Sequence, residues 1–138
     1  MRGFVHALCD ALSSHDAERV ASYLGDDVEW TLFGPIDLFP FCGQRRSKPA
    51  VLAALRQMSS TLHLQRCEKD ALLIDGEAMA ALVRLSLLQV QTNRFLSLRL
   101  ALFARFENGR LVSLRGLLDS FDAVEQALGR HIDLSAVA

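Results

Sequence analysis

The chain has 138 residues, 51% of them hydrophobic and 22% charged, with 8 Gly, 3 Pro and a formal net charge of -1. This composition excludes disordered, collagenous and low-complexity chains, and the near-neutral balance removes the electrostatic footprint expected of a nucleic-acid binder. A chain of this length buries roughly two thirds of its unfolded surface, so its core needs no disulfide or metal staple. Its cysteines, Cys9, Cys42 and Cys67, are odd in number and lack any C-x-x-C spacing. That pattern speaks for a reducing, cytoplasmic setting and against a disulfide framework or a zinc site. The most apolar stretch, 78–106, is broken by Arg84, Gln89, Gln91, Asn93, Arg94 and Arg99. It falls well short of a membrane span, so no membrane partner is expected. His6 and Asp10 stand where a signal peptide would be apolar, so the N-terminus reads as part of the folded structure.

In chain order, Phe4, Val5, Leu8, Ala11 and Leu12 recur at helical spacing. Asp16 then reads as the cap of a second helix over 17–24. Val28 to Leu32 is a short β-type run that ends at Gly34-Pro35. The loop over 34–46 carries Ile36, Leu38, Phe39 and Phe41, too apolar to lie in water, so it must fold over a core or line a cavity. Ser47 caps a third helix with Pro49 in its first turn, and Val51, Leu52, Leu55, Met58 and Leu62 form its buried stripe. From Gln65 the period changes to two. Strands are expected over 65–74, 78–91, 94–106 and 110–118, separated by Asp75-Gly76, Thr92-Asn93 and Asn108-Gly109. The last of these is a strong two-residue hairpin signal. Strands of about a dozen residues exceed the usual five or six and belong to a strongly curved sheet. Asp119 opens a last helix that runs to Leu128 and stops at Gly129.

The expected architecture is α+β: a curved antiparallel β-meander wrapped around N-terminal helices. Residues 4–128 read as one domain and 129–138 as a short tail, with no repeat and no linker.

This order of elements, with the segments 14–30 and 106–119, resembles the nuclear-transport-factor-2-like cone fold, and most closely its SnoaL-like and ketosteroid-isomerase-like branch. The resemblance implies a cone cavity and a homodimer formed through the outer sheet face. It also places Leu32, Leu102 and Leu8 where ketosteroid isomerase has its Asp base, its oxyanion Asp and its Tyr, so that proton shuttle has no donor or acceptor. At Val83-Arg84-Leu85-Ser86 the chain is similar to limonene epoxide hydrolase. Arg84 matches the catalytic Arg of that enzyme, while Ser86 and Gly116 stand in place of its two Asp, so no carboxylate is left to activate water. The resemblance leaves Leu32, Leu102, Leu114, Gly116 and Leu118 as an apolar cavity lining, and it places Arg99 and Arg115 on the outer face.

Arg84 interrupts an apolar run. Facing the cavity with Ser86, it would orient one polar group of a ligand; facing outward, it would meet solvent or a second copy. Asp37, Glu29 and His6 are the candidate acid or base groups, and Trp30 is either a ligand-stacking ring or plain core. The histidines His6, His15, His63 and His131 lie in separate elements without ligand spacing, and no Gly-rich phosphate loop follows a strand, so neither a metal nor a nucleotide cofactor is implied. Cys42 has no His partner that would make it a nucleophile. Three functions stay open: binding of a small, mostly apolar molecule without chemistry; a cyclase-, isomerase- or hydrolase-type enzyme on a polyketide- or terpenoid-like substrate; or a dimeric interaction module with a plugged cavity.

Overall fold

The computed structural model describes residues 1–131. Burial of one apolar stripe, Phe4, Val5, Leu8, Ala11 and Leu12, forms α1 (Phe4–Ser13). The second helix is shorter than its periodicity suggests: α2 is only Glu18–Ala21, its N-cap is Ala17, and no side chain caps it. Asp16 instead pairs with Arg19 at 3.6 Å. The chain then enters β1 (Leu24–Phe33), longer than the five-residue run read from sequence. The apolar loop folds over the core as expected, burying Phe39 and Phe41 with ring centroids 5.6 Å apart. Its end forms an edge strand, β2 (Gly43–Arg46), paired antiparallel to β1. Ser47 caps α3 (Lys48–Thr61) by accepting from the Ala50 N–H at 3.4 Å.

Four strands follow: β3 (Leu62–Asp75), β4 (Ala78–Gln89), β5 (Arg94–Glu107) and β6 (Arg110–Leu118). They form an antiparallel meander, and β1 lies parallel to β6, giving the sheet order β2-β1-β6-β5-β4-β3. At the β5–β6 turn Asn108 and Gly109 take φ values of 50° and 79°, the left-handed pair that a two-residue hairpin requires. Register shifts in β1, β3 and at Arg105/Phe106 bend the long strands around the helices. The inner face of the sheet packs on α1 and α3 in one continuous core. Its opposite face is free of α1 and α3, and α4 (Ser120–Leu128) lies against β5. Asp119 caps α4 through the Asp122 N–H, and Gly129 ends it at φ 70°. Of the tail expected over 129–138, residues 132–138 lie outside the described residues.

The cysteine expectation is also overturned. Cys9 of α1 and Cys67 of β3, 58 residues apart, are joined as a disulfide. An odd count says nothing about which two cysteines the fold brings together, and α1 packs directly on β3.

Candidate functional site

The inner face of the sheet gathers most of the expected lining. Trp30 and Leu32 on β1 stand beside Leu114 and Gly116 on β6, and Leu102 on β5 pairs with Gly116. A cavity large enough for a ligand would leave its walls exposed to it. Trp30, Leu32, Leu102 and Leu114 are 5%, 7%, 2% and 1% exposed. Leu118, at the rim, is half-buried. The space above Gly116 is taken by leucine methyls: a Cβ there would stand 2.7 Å from Leu32 Cδ1, 3.3 Å from Leu102 Cδ2 and 3.4 Å from Leu100 Cδ1. These residues therefore pack a closed core and do not border an open cavity.

Arg84 and Ser86 are not part of that wall. Directly opposed residues of antiparallel strands point to the same face, and Arg84 opposes Arg99 while Ser86 opposes Ser97. All four lie on the outer face, so Arg84 and Ser86 orient nothing inside the cone. Arg84 instead donates to Asp70 at 3.1 Å. Alternation from buried Trp30 puts Glu29 outside too, 4.0 Å from Arg46. Asp37 is exposed in the turn that follows β1, and His6 is exposed on α1 beside Cys9. None of the three candidate acid or base groups faces the core. His15 and His63 do approach, with ring centroids 4.6 Å apart, yet among the described residues no three His, Cys, Asp or Glu side chains gather to hold a metal. Cys42 is buried, and burial pushes its thiol up to about 11 against a smaller opposing pull from Arg45.

The outer face has features that the sequence pattern did not bring together. Successive cross-strand rows place Ala71, Leu82, Ala101, Leu117 and Phe33 side by side, then Leu73, Ala80, Phe103, Arg115 and Thr31, then Asp75, Ala78, Arg105, Ser113 and Glu29. Leu73 is 70% exposed and Phe103 53%. Apart from Thr31, the last two rows line an open groove of about 740 Å³ that combines the apolar side chains of Leu73, Ala78, Ala80 and Phe103 with Arg105, Arg115, Glu29 and Asp75. Arg115 and Glu29 were each visible as single residues. That they share a groove follows only from strand register, which decides the face of every residue at once.

This layout, a strongly curved sheet closed over α1 and α3, defines the nuclear-transport-factor-2-like cone class. Residues 5–114 match the SnoaL-like domain, and the chain belongs to that family. Among solved structures it is similar to a protein from Rhodopseudomonas palustris provisionally named an isomerase. The two are 44% identical over 92% of this chain and 94% of that one, with a TM-score of 0.87. A nuclear-transport-factor-2-like protein of unknown function from Burkholderia pseudomallei is 23% identical over 91% and 95% of the two chains, with a TM-score of 0.79. An epoxide hydrolase of the limonene-epoxide-hydrolase-like type from M. tuberculosis is 20% identical over 91% and 86%, with a TM-score of 0.71, a likeness of fold alone. No match is found among the curated proteins. No helix among the described residues is long and apolar enough to cross a membrane.

Proposed function

We propose that this SnoaL-like domain works as a homodimer in which two copies meet through the outer faces of their sheets. The observation that carries this reading is the exposed apolar band of Leu73, Leu82, Phe103, Leu117 and Phe33, which runs across five strands. Leaving so many large apolar side chains in water is costly, and contiguous patches of this kind mark interfaces. A second copy is the occupant favoured by charge. The same face carries Arg99 and Arg115, which have no ion pair among the described residues, together with Asp75 and Glu29. A two-fold interface is self-complementary, so each face must supply both signs. Sedimentation equilibrium at micromolar concentration tests it. The wild-type chain should have the mass of a dimer, and Leu82→Glu combined with Phe103→Glu should give a folded monomer. A monomeric wild type would remove the proposal.

A second reading is supported by the groove. Its volume of about 740 Å³ lies within the common range for small-molecule sites, and its apolar floor with a free guanidinium suits a mostly apolar molecule bearing one anionic or strongly polar group. If the isomerase name of the 44% identical relative extends to this chain, Glu29 is the candidate base that lines this groove. Phe103 and Leu73 belong both to the groove and to the band, so a ligand and a second copy would compete for them. A thermal-shift screen against apolar acids, lactones, aromatic polyketides and terpenoids, run with Arg115→Ala beside the wild type, separates the readings. A ligand shift that is lost in the variant supports the groove; no shift from any compound leaves the dimer face alone.

A further inference from the structure

We propose that Cys9 and Cys67 form a reversible thiol–disulfide pair, oxidised by low-molecular-weight disulfides and reduced again by thiols. Their Cα atoms stand 6.5 Å apart, within the span that a disulfide bridges without backbone movement. Both residues are only half-buried. They line two adjoining surface depressions of about 220 and 200 Å³, room enough for a small reagent to approach the sulfurs. Lys69 brings a positive charge to the same depression, and a cation beside a thiol favours the thiolate, the form that reacts. His6 precedes Cys9 by three residues on the same helix face, and Lys69 follows Cys67 by two on the same strand face; both line the same depression as the two cysteines. The other charges nearby are engaged, Arg66 with Glu68 at 2.8 Å and Asp10 with Arg19 at 3.1 Å. Lys69 has no ion pair among the described residues. Cys42 offers the contrast of an inert thiol, buried and with its pKa pushed up.

The exchange balances without any further oxidant. One thiol loses its proton and its thiolate attacks a sulfur of the small disulfide, displacing one small thiolate and leaving a mixed disulfide. The second cysteine, also deprotonated, attacks the protein sulfur of that mixed bond and releases the second small thiolate, closing Cys9–Cys67. The two released thiolates take up the two protons. Reduction by two thiols, or by one dithiol, is the reverse. An odd cysteine count with a buried free thiol suits a reducing compartment, in which a permanent bridge is unusual. A pair that opens and closes is compatible with both features.

The test equilibrates the folded wild-type chain over a series of reduced-to-oxidised glutathione ratios, quenches with acid, alkylates under denaturation and counts labels by mass. Three labels at the reducing end and one at the oxidising end, recovered on reversal, are expected, since Cys42 is labelled throughout. Three labels at every ratio would overturn the pairing, and one label at the reducing end would make the bridge an inert staple. Reduction should also lower the unfolding midpoint by on the order of 10 °C, because a 58-residue loop regains its freedom in the unfolded chain; an unmoved midpoint would count against a bridge in the folded state. Lys69→Gln should slow oxidation several-fold without changing the circular dichroism spectrum, and an unchanged rate would refute activation by this cation. Cys67→Ser should trap one glutathione on Cys9, and a failure to form that adduct would show the sulfur to be inaccessible.

Discussion

At Gly116 the difference between a filled cone and an open one comes down to a single methyl group. A Cβ there meets Leu32 Cδ1 at 2.7 Å, with Leu102 and Leu100 close behind. Gly116→Val should therefore overpack the core and lower unfolding free energy in urea by about 1–3 kcal/mol. An open cavity would accept the same side chain at no cost or with a gain. Cys42 makes a second prediction, because its thiol titrates higher in the folded chain than at its ordinary value of 9.0, near 11. The folded state thus holds this proton more tightly than the unfolded state does. Its contribution is fully present below about pH 9 and is lost as pH rises toward 11, amounting to on the order of 2 kcal/mol. Chemical denaturation between pH 8 and 11 should show that slope in the wild type and a flatter one in Cys42→Ala. Arg84 gives the opposite kind of expectation. Its bond to Asp70 joins two partly exposed groups, so Arg84→Ala should change stability by no more than about 1 kcal/mol.

Among the elements, α4 solves a problem created by the length of β5. The β6 ladder ends where Leu118 meets Leu100, so the first half of β5 has no strand on that side. Gln126 takes the place of one: its Oε1 accepts from the Ser97 N–H at 2.7 Å and its Nε2 donates to the Ser97 carbonyl at 2.8 Å. Covering an open edge in this way protects it from foreign strands. Gln126→Leu should cost about 1 kcal/mol and speed hydrogen exchange at the Ser97 amide by roughly tenfold, as water replaces the carboxamide. Most elements were legible beforehand because their own residues carry the signal: the Ser47 and Asp119 caps, the Asn108-Gly109 turn and the strict alternation of β5. β2 was not legible, since Gln44, Arg45 and Arg46 have no apolar period and become a strand only by pairing with β1. The face of Arg84 was hidden for a related reason. β4 is apolar on both sides, with Val83, Leu85 and Leu87 inward and Ala80, Leu82 and Leu88 outward, so period two cannot orient it. Its partner β5 can, because buried Leu98 and Leu100 flank Arg99 and the cross-strand pair fixes Arg84 on the same side.

For the whole molecule, the two faces of one sheet differ in what they bury. The inner face is saturated by its own leucines and phenylalanines and by the helices laid on it, so the outer face is where large apolar side chains remain available to a partner. In a dimer, folding is linked to association, and stability then depends on protomer concentration. Each tenfold rise in concentration should raise the unfolding midpoint by a few degrees for a chain of this size, whereas a monomer's midpoint would not move. Charge reversal adds the direction of the effect. In the proposed dimer, Arg99→Glu would remove a cation that has no ion pair among the described residues from an interface needing both signs, so it should flatten the concentration dependence most at low salt. Calorimetric scans at two concentrations and two ionic strengths read both effects at once. A midpoint independent of concentration in the wild type would sever the apolar band from self-association, and the groove within it would then be the surface to pursue.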